Sequence, residues 1–81
     1  MSVDSTTRVL RWCFSRGTQV ITCAIDVHLG DLAYNVLTIP HWDPLAATME
    51  RVGGAAAALQ RHAAIARELR ECGWRVAAYT E

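Results

Sequence analysis

Two short turns divide the first half of the chain into three apolar runs, and they constrain the fold more strongly than any other feature. Across residues 7–39, apolar and polar side chains alternate with a period of two, and Val, Ile, Thr and aromatic residues are frequent. This pattern is typical of β-strands. The runs are separated at Arg16-Gly17 and at Gly30-Asp31. The second turn has glycine where a type II′ hairpin requires it, so the sequence predicts an antiparallel meander of three strands.

Each turn predicts a strand register independently of the other. The first turn gives the pairs Ser15–Thr18, Phe14–Gln19, Trp12–Ile21, Leu10–Cys23 and Arg8–Ile25. The second turn gives the pairs Leu29–Leu32, Val27–Tyr34 and Ile25–Val36. The two registers agree on one apolar face, which a slip of one residue would disperse. This predicted core face consists of Leu10, Trp12, Phe14, Ile21, Cys23, Ile25, Val27, Leu29, Leu32, Tyr34 and Val36.

The opposite face of the predicted sheet is not uniformly polar. Its polar residues are Arg11, Cys13, Thr22, Asp26, His28 and Asn35, and its apolar residues are Val9, Val20, Ala24, Leu37 and Ile39. Such a face leaves an apolar patch that no segment of the chain obviously covers. We therefore expect a partner surface formed by Val9, Arg11, Val20, Thr22, Ala24, Leu37 and Ile39, with Trp42 from the following loop.

The second half of the chain follows a proline-rich loop at residues 40–44 and permits two interpretations. The first is one helix over residues 44–72 with Asp43 as N-cap, which the Leu, Ala, Met, Glu and Arg content favours. The second is a fourth strand at residues 46–52, a turn at Gly53-Gly54 and a helix at residues 55–72. Adjacent glycines inside a helix cost about 1 kcal/mol each. The longer helix, about 43 Å, would also overhang strands of about 26 Å, so we predict the fourth strand.

The end of the C-terminal helix is predicted at Gly73, since glycine is the usual left-handed residue after a helix. Helical spacing defines an apolar stripe of Ala58, Leu59, Ile65, Ala66, Leu69 and Cys72. His62 borders this stripe, so we expect a locally hydrogen-bonded histidine, or alternatively a pH-sensitive contact. The remaining residues read as a short extended tail or an edge strand.

The predicted fold is α+β, a three- to four-stranded antiparallel meander sheet with one C-terminal helix packed on one face, in the order β-β-β-β-α. The 81 residues are expected to form a single small domain, with residues 1–6 and 76–81 as flexible or edge segments. A domain of this size buries only about 60% of its unfolded surface. There is accordingly little room for an enclosed substrate pocket unless two copies build one.

Several short motifs support a resemblance to known proteins. These are Trp12-Cys13 near the start, then ITC, then AYNV, then AALQRHAAIARELRECGW, and the resemblance covers residues 8–75. This arrangement resembles a group of small bacterial proteins of unknown function in which an antiparallel sheet precedes a helix ending in Gly-Trp. Those proteins commonly carry an acid–aromatic pair where Arg51-Val52-Gly53 stands here. The resemblance implies a fold and brings no activity, cofactor or site residue with it.

Composition and charge exclude several classes of function. The formal net charge is zero, so no long-range field for nucleic acid or acidic membranes is expected. Arg supplies every cation. The N-terminus has an early acid and no apolar core of a signal peptide, and no run reaches the length of a membrane span. Three cysteines without a CxxC pattern indicate neither disulfides nor zinc, so a cytoplasmic protein is expected.

Candidate catalytic and metal-binding residues are predicted not to converge. A metal site would need several of His28, His41, His62, Cys13, Cys23, Cys72, Asp26 and Asp43. Cys23 is predicted to face the core, whereas Asp26 and His28 face outward. Cys13 and His41 fall two strands apart, about 9–10 Å, with no acid to orient the imidazole. Cys23 and Cys72 are expected to act as small apolar core groups. We therefore predict no catalytic residues, no cofactor and no metal.

Two functions remain open at this point. The first is a non-enzymatic protein-interaction module acting as a homodimer, because pairing two outer faces would bury the patch and support a small core. The alternative is a weak single-stranded nucleic-acid-binding protein that uses the sheet face, by analogy with a coactivator fold. Arg8, Arg11 and Arg16 would supply charge, but the outer face lacks aromatic residues for stacking. An enzyme acting at a dimer cleft is the third hypothesis.

Overall fold

The computed structural model describes residues 6–28, 30 and 33–80. Its elements are β1 (Thr6–Arg16), β2 (Gln19–His28), β3 (Ala33–Pro40), a 3₁₀ turn (Pro44–Ala46), β4 (Thr48–Val52), α1 (Ala55–Glu71) and β5 (Arg75–Thr80). Within these residues the strands form one antiparallel sheet in the order β4-β3-β2-β1-β5. The predicted α+β class with an antiparallel sheet and a C-terminal helix is confirmed. The predicted count of three to four strands is wrong, because the described residues form five.

The additional strand is β5, which lies at the sheet edge beside β1. It pairs through Ser15–Arg75, Phe14–Val76 and Trp12–Tyr79, with a register shift after Cys13. The resulting bulge and two consecutive alanines interrupt the alternation that identifies a strand in a sequence. By pairing with residues 11–15, β5 covers that part of the β1 edge, which would otherwise expose a row of unpaired backbone groups. Residues 1–5 and 81 of the predicted end segments lie outside the described residues.

The two predicted hairpin registers have different outcomes. Between β2 and β3, the Val27–Tyr34 and Ile25–Val36 pairs are confirmed, whereas the Leu29–Leu32 pair and Asp31 lie outside the described residues. Between β1 and β2 the predicted pairing is wrong by two residues. The observed pairs are Arg16–Gln19, Phe14–Ile21, Trp12–Cys23 and Leu10–Ile25.

The first turn accounts for this shift. Arg16 belongs to the strand, and the two turn residues are Gly17 and Thr18. Gly17 has a φ of 61°, a left-handed conformation that glycine adopts at little cost. A positive φ is what a two-residue hairpin turn requires at its first central position, which Gly17 occupies. From Leu10 to Arg16 a shift of two residues keeps each side chain on its predicted face, because the side-chain period of a strand is two. Beyond the register shift between Arg8 and Leu10, Arg8 pairs with Asp26 on the opposite face and not with Ile25 as predicted.

The core lies between the sheet and α1, which crosses β2 and β3. It is a cluster of Phe14, Ile21, Cys23, Ile25, Val36, Ala58, Ile65, Ala66 and Trp74. These sheet residues all come from the predicted core face. The predicted helix stripe needs correction at Leu59, which is 54% exposed, and at Cys72, which is exposed at the end of the helix. His62, which was predicted to border the stripe, is one of the buried residues of α1.

The chosen interpretation of the second half is confirmed. β4 and α1 are separate elements, and Gly54 begins the helix with an extended backbone. Gly73 has a φ of 91°, as predicted for the residue after a helix. The N–H of Gly73 donates to the carbonyl of Arg70, and the N–H of Trp74 donates to the carbonyl of Leu69. These two bonds form a Schellman motif, which turns the chain into β5. No helix in the described ranges has the length and apolarity needed to cross a bilayer.

Candidate functional site on the open face of the sheet

The sheet face opposite α1, here called the open face, is built by the residues that alternate with the core positions. The strand registers place Arg11, Ala24, Leu37 and Met49 side by side across β1, β2, β3 and β4. Ala24 is fully buried because it is a small side chain between larger neighbours on both sides. Leu37 is half-buried and Met49 is 64% exposed. The apolar surface that this row exposes therefore comes from Leu37 and Met49, on the β3 and β4 side of the sheet.

A second row on the open face runs from β5 to β3. It contains Ala78, Cys13, Thr22 and Ile39. Thr22 is only 3% exposed, although it lies on the face that carries no helix. Its burial comes from neighbours on the face itself, since Cys13 and His41 both contact its hydroxyl group. Thr22, at the centre of the open face, is thus covered by side chains of the same face.

One end of the open face carries an ion pair. Arg8 donates from Nε to Oδ1 of Asp26 at 3.0 Å, and the register continues through Asn35 to Arg51. The Asp26 side chain is 13% exposed, whereas that of Arg8 is 48% exposed. The pair is consequently partly sheltered, and the acid is already neutralised by an arginine of the same chain.

The structure brings most of the predicted partner surface together. Val9, Arg11, Val20, Thr22, Ala24, Leu37 and Ile39 lie in three adjacent strands, with Val9 at a register irregularity of β1. Trp42 does not join them: its ring stacks on Trp74 of the core, with centroids 6.0 Å apart. Sequence reasoning missed Met49 and Ala78, because the loop before β4 and the bulge in β5 give no register signal. Alternation within β4 was the available signal for Met49.

A hydrogen-bonded cluster of three side chains crosses the open face. Thr22 Oγ1 lies 2.6 Å from Nε2 of His41 and 3.5 Å from Sγ of Cys13. Sequence reasoning placed Cys13 and His41 in one row but beyond hydrogen-bond reach. Thr22 spans that gap, because the corrected β1–β2 register places it directly opposite Cys13. The thiol and the imidazole are therefore connected through one hydroxyl group.

Two of the remaining titratable candidates, Cys23 and His62, lie on the helix side of the sheet. Burial raises the pKa of Cys23 to about 11, which keeps it a neutral apolar group of the core, as predicted. His62 is hydrogen-bonded to the backbone of Cys23 on the helix side, rather than locally within α1. Among the described residues, no three His, Cys, Asp or Glu side chains form a group that would hold a metal ion.

A separate groove of about 460 Å³ lies on the helix side of the sheet. It is lined by Arg16, Thr38, Thr48, Glu50, Arg61, Ile65, Glu68, Leu69, Cys72 and Trp74. Nε of Arg61 donates a hydrogen bond to Oε2 of Glu50 at 2.7 Å, and this contact raises the pKa of Arg61. Arg16 donates to the Cys72 carbonyl at 2.9 Å and lies over the Trp74 ring. Both cations of the groove are therefore engaged by groups of the same chain.

Comparison of the chain with protein-family models, with curated proteins and with solved structures finds no significant match.

Proposed function

We propose that this chain is a non-enzymatic protein-interaction module that forms a homodimer through the open face. The observation that carries the proposal is the apolar row Ala24, Leu37 and Met49, flanked by Val9, Val20 and Ile39. In a sheet with a helix on one side, the other side is ordinarily polar. An apolar sheet face of this extent is typical of a surface that a partner covers.

A second copy of the chain is the partner that fits best. The formal net charge is zero, so two copies approach each other without long-range repulsion. Arg8, Asp26 and Arg51 lie at one end of the open face, and Arg11 and Arg75 lie on β1 and β5. The apolar residues of β3 and β4 on this face are thereby left to pack against a second copy. A self-complementary patch is what a two-fold dimer requires. Burying it would also add apolar contacts to a domain whose own core is small.

A nucleic-acid partner has weaker support. Single-strand binders combine cations with aromatic rings on which bases stack. The described residues of the open face include no aromatic ring, since Trp12 and Tyr79 lie on the helix side and Trp42 stacks on Trp74. Arg8, one of the three arginines considered, is paired with Asp26.

The test is the sedimentation behaviour of two matched variants. Met49 and Leu59 are similarly exposed, at 64% and 54%, but Met49 lies on the open face and Leu59 lies on α1. We expect the wild-type chain to sediment as a dimer at tens of micromolar and Met49→Glu to shift it toward monomer. Leu59→Glu should leave the dimer intact. Circular dichroism checks that both variants retain the fold.

A wild-type chain that remains monomeric at tens of micromolar would contradict the proposal, as would equal effects of the two substitutions. Fluorescence anisotropy with random single-stranded DNA at low salt forms a separate arm. Salt-sensitive binding that Arg11→Gln weakens would favour the nucleic-acid alternative instead.

A further inference from the structure

The cluster of Cys13, Thr22 and His41 has a geometry that none of the interaction surfaces requires. Three strand-borne or strand-adjacent side chains form an unbroken line of hydrogen bonds, from Sγ to Oγ1 at 3.5 Å and from Oγ1 to Nε2 at 2.6 Å. Thr22 is 3% exposed, Cys13 is half-buried and His41 is exposed. The buried hydroxyl group therefore joins a sheltered thiol to a base that is in contact with solvent.

This line of bonds is complete in two protonation states with the same heavy-atom positions. In the first, the thiol donates to Thr22 and the hydroxyl group donates to neutral Nε2 of His41. In the second, imidazolium donates to Thr22 and the hydroxyl group donates to a thiolate. A hydroxyl group can both donate and accept, so moving one proton from sulfur to nitrogen reverses both bonds without breaking either. The arrangement is that of a nucleophile activated by a general base through a relay.

We propose that Cys13 is the redox-modifiable thiol of this chain, activated through Thr22 by His41 for exchange with low-molecular-weight disulfides. In this step Sγ of Cys13 attacks one sulfur of the disulfide, and a new S–S bond forms as the original S–S bond breaks. The leaving sulfur departs as a thiolate with the bonding electron pair. The proton of Cys13 passes to Nε2 of His41 and then to the leaving thiolate. One thiol and one disulfide are consumed, and one mixed disulfide and one thiol are produced.

The other two cysteines provide internal comparisons. Cys23 is fully buried in the core, where neither a disulfide nor a base reaches it. Cys72 is exposed at the C-terminal end of α1, and its thiol has no imidazole partner among the described residues. If exposure alone determined reactivity, Cys72 would react fastest. The relay predicts the opposite order, with Cys13 ahead of Cys72 at neutral pH.

The charged groups around the relay favour the same outcome. On the open face, Arg11 and Arg75 occupy the positions on either side of the Cys13 row in β1 and β5. Both are cations, which stabilise a developing thiolate. Asp43 follows His41 by two residues in the adjoining loop, on the base side of the relay. No acidic side chain is in the Cys13 row itself, which is formed by Ala78, Cys13, Thr22 and Ile39.

The test measures thiol reactivity in a Cys72→Ser background, with an aromatic disulfide reagent and with oxidised glutathione as probes. We expect one fast thiol that Cys13→Ser removes, and a mixed disulfide on Cys13 by mass spectrometry. Thr22→Val and His41→Gln should each slow the reaction at about pH 7 by roughly a hundredfold, the lower end of the range for general-base catalysis. At about pH 9.5 the difference should shrink, because a thiol ionises there without a base.

Two further variants separate the relay from structural damage. Thr22→Ser keeps a hydroxyl group and should retain the wild-type rate even if Thr22→Val perturbs the buried site. Thr38→Val makes the same chemical change on the core face of β3 and should leave the rate unchanged. Three results would each overturn the proposal. The first is an unchanged reaction rate in both Thr22→Val and His41→Gln, and the second is an equal loss of rate in Thr38→Val. The third is a rate for Cys13 no higher than that of Cys72, measured in a matched Cys13→Ser background.

This inference does not depend on the homodimer. The reaction rates of Cys13 with the disulfide probes are first measured at sub-micromolar protein concentration. A decrease in these rates as the protein concentration rises would indicate that a second copy covers the open face. A slow Cys13 at the lowest concentration contradicts the relay alone. A concentration-independent rate counts against the dimer alone.

Discussion

The imidazole of His62 donates its Nε2 hydrogen to the backbone carbonyl of Cys23 across 3.3 Å, joining the middle of α1 to the middle of β2. His62 is 4% exposed, and the Trp12 ring meets it edge-on at 5.3 Å. Burial lowers the pKa of His62 more than the hydrogen bond to Cys23 raises it. A neutral histidine is therefore part of the helix–sheet contact.

We expect the free energy of unfolding to fall as the pH drops below about 6.5, the value of an unfolded histidine. Because the pKa of His62 is lower in the folded chain, the unfolded chain takes up the proton first as the pH falls. The contribution of neutral His62 to stability is therefore fully present above about pH 6.5 and is lost as the pH falls from that value through the folded pKa. The slope in this window reaches at most about 1.4 kcal/mol per pH unit. Urea unfolding at several pH values measures it. His62→Gln, which keeps a donor without titrating, should flatten the profile.

Gly73→Ala should destabilise the chain by about 1–2 kcal/mol, the cost of a left-handed conformation for a residue with a β-carbon. The added atom itself meets only the Cδ atom of Arg16, at 3.7 Å, so the backbone and not crowding is responsible. Gly53→Ala is the control, because its β-carbon would enter open space and its φ is not left-handed. Chemical denaturation of both variants is the measurement. Equal losses at the two positions would contradict this explanation.

Arg16→Gln should lower stability by about 1 kcal/mol, through loss of a charge-assisted hydrogen bond and a cation–π contact. Arg16 donates to the Cys72 carbonyl and lies 4.7 Å from the centre of the Trp74 ring. It thereby ties the end of β1 to the end of α1. Arg67→Gln, at an exposed position of α1, is the control and should change stability little. Thermal unfolding followed by tryptophan fluorescence compares the two.

Phe14→Ala should be the most damaging of these changes, at about 3–5 kcal/mol. Phe14 is fully buried in the core cluster, and stability in domains is typically only about 5–15 kcal/mol in total. Loss of cooperative unfolding or of soluble expression is therefore an expected result. Leu45→Ala, at a residue 98% exposed, should behave as wild type. A folded Phe14→Ala variant of wild-type stability would be inconsistent with the proposed core.

Much of the fold follows from the alternation of side chains in the sequence, because a period of two assigns faces even when a register is wrong. The β1–β2 pairing illustrates this: Trp12 was expected opposite Ile21 and lies opposite Cys23, yet all three face the core. The strand at β4 followed from the cost of two glycines in a helix and from matching element lengths. Both arguments depend on local chemistry, which a sequence displays directly.

The parts that the sequence concealed depend on contacts between distant segments. β5 becomes a strand because β1 offers it an edge, and its bulge obscures the alternation. The Cys13–Thr22–His41 line required the exact register, since a two-residue error placed Val20 in the position of Thr22. Trp42 was assigned to the partner surface, and its stacking on Trp74 could not be predicted from a loop sequence.

The position of β5 also has a kinetic consequence. Few residues separate β1, β2 and β3 along the chain, so these strands need only local closure. Ser15 and Arg75 pair across about 60 intervening positions and must first close a long loop. Long-range pairings form late and slowly in folding. The three-strand meander and the helix are therefore expected to assemble while the edge of β1 is still unpaired. During that interval the β1 edge can pair with other chains. The rate at which β5 pairs with β1 therefore determines the fraction of the protein that aggregates during folding.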